Sequence, residues 1–285
     1  MAMTPVTYGG SQRPPRGDYS VARADYTCDQ SWQDYSPQQH DMYARLYARQ
    51  LALVEGRACD EFLRSLAQLK MHARIPRFED VSERLRRATR WEIVAVPGLI
   101  PEDAFFRLLA HRRFPVTVWL RKPEEFDYIV EPDLFHDLFG HVPLLFNPVF
   151  ADYMQAYGEG GLKALRYDAL ELLARLYWYT VEFGLIATPS GLRVYGAGIL
   201  SSPGELTRAL ADPEPLRIGF DLRRVLRTEY DIDDFQKAYF VIDSFAQLFE
   251  QTAQDFAPIY QELQPLPAVA AGVAQAGDRT FALAG

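Results

Sequence analysis

Pro132-Asp133-Leu134-Phe135-His136-Asp137-Leu138-Phe139-Gly140-His141-Val142-Pro143 holds two of the chain's five histidines. It reads as a short helix, because Asp133 is a favoured N-cap and Gly140 a favoured C-terminal stop. The local density of imidazole invites a metal. On an ideal helix an offset of five residues rotates by about 140°, so His136 and His141 share a face only if the helix breaks between them, and Gly140 is placed to make that break. Glu182 is the candidate third ligand. It stands near the end of an otherwise almost uncharged, core-like segment, where burying a carboxylate is costly without a cation. Two imidazoles and one carboxylate leave coordination positions open, the donor set with which non-haem Fe(II) oxygenases admit dioxygen and a co-reductant. Taken singly, each feature has a plainer reading: a satisfied helix-end histidine pair, a Glu182–Arg175 ion pair, and Trp178 as core.

The pattern of the whole chain is mainly α with a few short β-strands. Apolar residues recur at helical spacing from Gln38 to His72, interrupted near Gly56, which predicts one bent helix or two ending by Pro76. Trp91–Val96 is the strongest strand, Pro101 opens an apolar helix, and Val116–Leu120 is a second β-rich run before Arg121. The longest helix is predicted over about Ala164 to Phe183, with apolar positions all round the cylinder, stopped by Gly184. Tyr195-Gly196-Ala197-Gly198 reads as a glycine-rich turn and Phe235–Gln251 as an amphipathic helix. Residues 1–25, rich in Pro, Gly and Arg without apolar periodicity, read as a disordered arm, 26–264 as one mostly helical domain, and the Ala/Gly-rich 265–285 as a weakly ordered tail.

Composition narrows the function. Hydrophobic residues at 48% and aromatics at 13% suit a folded globular protein rather than a disordered one. A net charge of −8 argues against nucleic acid or an anionic membrane as partner. Only Cys28 and Cys59 are present, too few for a disulfide framework or a thiolate zinc site, and no apolar run reaches the ~18 residues of a membrane helix. The expected location is the cytoplasm.

Three blocks in order, P-D-x2-H-D-x2-G-H-x-P at 132–143, Tyr177-Trp178-Tyr179-Thr180-Val181-Glu182-Phe183-Gly184, and Tyr195-Gly196-Ala197-Gly198-Ile199-Leu200-Ser201-Ser202 with Gly204-Glu205-Leu206, closely resemble the pterin-dependent aromatic amino acid hydroxylases. The similarity spans roughly residues 90 to 250 and is strongest to bacterial members acting on phenylalanine. It implies a single catalytic domain of that type, with His136, His141 and Glu182 holding Fe(II) and a tetrahydropterin, tetrahydrobiopterin or a bacterial analogue, as co-substrate. The implied reaction is hydroxylation of L-phenylalanine to L-tyrosine by O2, one oxygen atom going to the pterin and the other to the ring carbon para to the side chain.

By the same resemblance Arg121 clamps the substrate carboxylate, for which its planar fork is suited, and Asp133 orients Arg121. Pro132, Trp178, Phe183 and Gly198 wall the substrate ring, and Ser201 lies behind His136. Phe105 is the shelf for the pterin ring, Ile100 and Glu102 belong to the loop along its edge, Asp137 lies beside it, and Ala174 and Tyr177 line its side of the cleft. Ile232 falls where tyrosine-hydroxylating members carry an acid, and with a bulky Trp178 it favours phenylalanine over tyrosine and tryptophan. Ile129-Val130 depart from the animal pattern, so no residue is assigned to the substrate amino group. The animal regulatory domain and tetramerisation helix find no counterpart, which implies a monomer.

Two other classes compete on residues alone. A His/His/Glu zinc hydrolase is one, although H-E-x-x-H enzymes space the histidines four apart with glutamate between. A non-enzymatic module that binds aromatic ligands is the other, and it leaves the burial of Glu182 without a reason.

Overall fold

A computed structural model describes residues 15–232 and 234–283. The helix signal near the start resolves into two helices. α1 (Pro37–Val54) begins with a capping box in which Ser36 and Gln39 bond each other's backbone amides, with Pro37 in the first turn. Gly56, at φ +71°, turns the chain into α2 (Asp60–Leu69), whose first turn is acidic. α2 ends at Leu69 rather than at Pro76, because Lys70 takes a left-handed conformation. α3 (Phe78–Thr89) leads into β1 (Glu92–Val96), α4 (Glu102–Ala110) and β2 (Arg113–Thr117). β1 and β2 pair in parallel, Ile93 opposite Phe114 and Ala95 opposite Val116, with α4 as the crossover.

The 164–183 expectation is corrected. α5 (Pro148–Ala164) is followed by a single 3₁₀ turn and a left-handed Asp168 (φ +51°), and only then does α6 (Leu170–Tyr177) begin. The apolar spacing carries across this interruption, so periodicity alone does not reveal it. Leu165, an apolar position within that predicted helix, is exposed, whereas Leu172, Leu173, Leu176 and Val181 are buried. With 18 residues, α1 is the longest helix described.

β3 (Leu185–Thr188) and β4 (Gly191–Val194) form a hairpin, the glycine-rich turn runs directly into the short α7 (Ala197–Leu200), and α8 (Pro203–Ala211), β5 (Leu216–Gly219) and α9 (Leu222–Arg227) follow. The predicted helix over 235–251 is also overturned. Ala238–Ile242 is strand β6, lying between β3 and β5 in a sheet of order β4-β3-β6-β5, and α10 (Phe245–Thr252) starts only after the Ser244 cap. Every residue of β6 is buried. A strand covered on both faces has a continuous apolar run with no alternation, which the eye joins to the helix beyond it. α11 (Ala257–Leu263) completes the core.

The ends are more ordered than their composition suggests. Residues 1–14 of the expected arm lie outside the described residues, but 15–25 pack on the domain and contain a 3₁₀ turn, Tyr19–Val21. Beyond Pro265, Val269 bridges to Thr228, Thr280 bridges to Ile218, and Asp278 pairs with Arg224 at 3.0 Å in a nearly buried contact.

Candidate metal centre and cleft

His136 and His141 are brought together without a helix break. His136–His141 is a π-helical turn, and the Val142 amide donates to the Asp137 carbonyl five residues back. Widening the turn by one residue places side chains five apart where an α-helix places those four apart. The two Nε2 atoms lie 3.1 Å from each other, with ring planes at 78°. Gly140 serves close packing instead: a Cβ there would fall 2.9 Å from the Ala197 carbonyl oxygen, so its absence lets the segment lie against α7. Glu182 closes a second π turn, Trp178–Glu182, in which the Phe183 amide donates to the Trp178 carbonyl at 2.8 Å. Its Oε1 is 3.1 Å from His141 Nε2 and its Oε2 3.7 Å from His136 Nε2. Arg175 does not pair with it, bonding instead to Glu171 and the Leu226 carbonyl.

The protonation pattern fits a cation. Ser201 Oγ donates to the Ala197 carbonyl at 2.8 Å, so it accepts from Nδ1–H of His136 at 2.8 Å. The Nε2 lone pair of His136 therefore faces His141 and Glu182. Burial pushes His136 down to about 4, against the pull of Glu182, so this imidazole is neutral. Burial opposes charge on His141 and on Glu182 as well, but each outweighs it for the other: the His141 pKa is raised and the Glu182 pKa lowered. A divalent cation satisfies all three donors where a single shared proton satisfies two. The three ligand atoms lie within 4.8 Å of one another.

Next to the ligand turn lie a buried guanidinium–carboxylate pair and a group of packed rings. Arg121 and Asp133 are buried and make a two-pronged pair, Nε to Oδ2 and Nη2 to Oδ1 both at 2.9 Å. Asp133 also accepts from the Arg121 amide at 2.9 Å and caps the ligand-bearing turn through the His136 amide at 3.0 Å. One carboxylate thus ties the guanidinium to the segment that carries the histidines, with Pro132 immediately before it. The Trp178 indole packs 4.7 Å from Phe183, stacks on Tyr230 at 4.4 Å and donates to Gln236 at 2.8 Å. A Cβ at Gly198 would meet the Phe183 ring at 2.8 Å. Ile232 is half-buried in the loop bearing Tyr230 and Gln236. Those two residues escaped sequence reading, since a lone Tyr and a lone Gln in a polar loop carry no pattern.

A second group of residues is aromatic. Phe105 meets Tyr177 edge-on at 5.7 Å, and Tyr177 lies 6.2 Å from the His141 ring, so these rings lead from α4 to the ligand cluster. Phe114, another residue missed by sequence, covers His141 at 5.1 Å. Ile100 is buried before α4 and Glu102 is its first residue. Ala174 is half-buried on α6, one turn before Tyr177. Asp137 Oδ2 accepts from the Thr117 amide at 2.8 Å, and burial raises its carboxyl to about 7.

The family model for biopterin-dependent aromatic amino acid hydroxylases matches residues 22–264. The chain belongs to that family. It is 58% identical over 262 residues to a phenylalanine-4-hydroxylase of Ralstonia nicotianae, covering 92% of this chain and 84% of the relative. It is 59% identical over 256 residues to one from Caulobacter vibrioides, covering 90% and 86%. A crystal structure of Chromobacterium violaceum phenylalanine hydroxylase with iron and phenylalanine bound superposes with a TM-score of 0.88 at 56% identity, over 92% of this chain and 96% of that one. Membership decides against the hydrolytic and the non-enzymatic readings, and it agrees with the mainly α single-domain fold.

Proposed function

We propose that this protein hydroxylates L-phenylalanine to L-tyrosine with iron, a tetrahydropterin and dioxygen. The observation that carries the reading is the convergence of His136, His141 and Glu182 in a chain 58% identical to phenylalanine-4-hydroxylases. Iron bound by this triad and the tetrahydropterin together supply the activation of dioxygen. The chain's own residues do the rest. Ser201 holds His136 in the tautomer that ligates. Arg121, held by Asp133, receives the substrate carboxylate, and Trp178, Phe183 and Gly198 shape an apolar slot for the ring, with Ile232 at its border. Phe105 and Tyr177 offer aromatic faces to the pterin, Ile100, Glu102 and Ala174 line its edge, and Asp137 lies beside it. The apolar walls keep water from the reacting groups. The protein works as a single chain in the cytoplasm, a compartment suited to its two free buried thiols.

Product analysis with iron, a tetrahydropterin and each aromatic amino acid tests the activity. Phenylalanine is expected to give the highest kcat/KM. Tyrosine would bury its hydroxyl against Ile232 without a partner, at a cost of ~1–3 kcal/mol, and the indole of tryptophan would collide with Trp178. Ile232→Asp is expected to admit tyrosine and Trp178→Phe to improve tryptophan turnover. A wild-type preference for tyrosine or tryptophan would refute the substrate assignment.

Phe105→Ala is expected to raise the tetrahydropterin KM by about tenfold, the value of an aromatic stacking contact of ~0.5–1.5 kcal/mol plus its lost burial, while leaving the phenylalanine KM nearly unchanged. Equal effects on both would make Phe105 a core residue.

A further inference from the structure

The segment that composition marks as a free arm is threaded between the loop at 97–100 and the loop at 119–131. Gly17, at φ +107°, lies so close to Pro97 that a Cβ would fall 1.9 Å from its carbonyl oxygen, and a Cβ at Gly98 would fall 2.4 Å from the Arg16 carbonyl oxygen. Only glycine allows such a reciprocal backbone approach. The Tyr19 hydroxyl donates to the Leu99 carbonyl at 2.9 Å. On the other side the Arg16 amide donates to both Glu131 carboxylate oxygens at 3.1 Å, and its guanidinium pairs with Glu125 at 2.7 Å and covers the Trp119 ring at 4.2 Å.

The two anchor points are next to the two binding halves. Leu99 immediately precedes Ile100, on the pterin side. Glu131 immediately precedes Pro132 and Asp133, and Trp119, whose carbonyl accepts from the Leu134 amide at 2.9 Å, stands two residues before Arg121.

We propose that Arg16–Tyr19 is a strap whose residues position both binding loops: Tyr19 holds the pterin loop, Arg16 holds the carboxylate-clamp loop, and Gly17 joins the two. This rests on the assignment of Arg121 and of the pterin side given above. Pro97, Gly98 and Ile100 are buried, whereas residues 122–131 are half-buried or exposed, and ordering a loop on ligand binding costs conformational entropy. A strap tied to both lowers that cost in advance, so each ligand meets a loop already in place.

Calorimetric titration of iron-loaded protein under argon with L-phenylalanine, and separately with a tetrahydropterin, tests this without turnover. Tyr19→Phe removes the Leu99 bond and is expected to weaken the pterin about fivefold, the value of one hydrogen bond, with phenylalanine within about twofold. Glu131→Ala is expected to do the reverse. Gly17→Ala is expected to weaken both and to speed tryptic cleavage at Arg16. A merely structural role would lower Tm in all three variants without separating the two affinities. That result, or unchanged affinities in Tyr19→Phe and Glu131→Ala, would overturn the strap; those two variants introduce no clash and decide the matter if Gly17→Ala fails to fold. Arg121→Lys separates the two layers of the argument. If it leaves phenylalanine binding intact, the clamp assignment itself fails; if it weakens binding while the strap variants do not, only the strap does.

Discussion

Glu182→Gln is expected to abolish hydroxylation and to loosen iron by at least about tenfold, the equivalent of one charged contact of ~1.5–3 kcal/mol. His136→Ala and His141→Ala are expected to be as inactive, because each removes one of only three donors. Ser201→Ala tests the same centre from one bond away. It leaves all three ligands in place but takes the acceptor from Nδ1 of His136, so iron affinity is expected to fall about 10–100-fold with partial activity retained at saturating iron. Iron content after dialysis against a graded chelator series, beside tyrosine production, gives both quantities. Ligand variants that keep wild-type iron and turnover would place the site elsewhere in the chain.

Asp133→Ala is expected to cost ~3–5 kcal/mol of stability, because it strands the buried Arg121 guanidinium without its counter-charge. It also leaves the His136 amide uncapped. Urea unfolding measures the loss, and the phenylalanine KM is expected to rise with it as the fork loses its orientation. Asp133→Asn keeps an acceptor for the His136 amide while removing the charge, so it is expected to fall between wild type and Ala. The pH dependence has a definite sign. Burial alone would raise the Asp133 carboxyl, but the Arg121 guanidinium outweighs it and holds the folded value below the ordinary one. The pair's contribution is therefore complete above the unfolded carboxylate pKa of about 3.9 and is lost as pH falls through the depressed folded value. A variant as stable as wild type would mean that Arg121 finds another counter-charge.

Chemistry and local signals were legible in the order of residues. Two imidazoles and an acid in a core-like segment named the ligand set, because few arrangements excuse a buried carboxylate. Asp133 was legible as the cap of the ligand turn, since a cap bonds backbone within a few residues of itself. β1 was legible as well, having a β-branched run bounded by turn residues. The remainder depended on long-range packing. The π turns at 136–141 and 178–182 carry the three donors to one place, and no 3.6-residue period encodes a widened turn. β6 is a strand because β3 and β5 flank it, which its uniformly apolar residues could not announce. Residues 15–25 are ordered because Gly17 and Gly98 let two backbones touch across 81 positions of chain, and a contact so distant leaves no periodic trace. Tyr230 and Gln236 reach Trp178 for the same reason: local pattern records what a residue does for its neighbours in sequence, and packing across the fold settles what it does for the site.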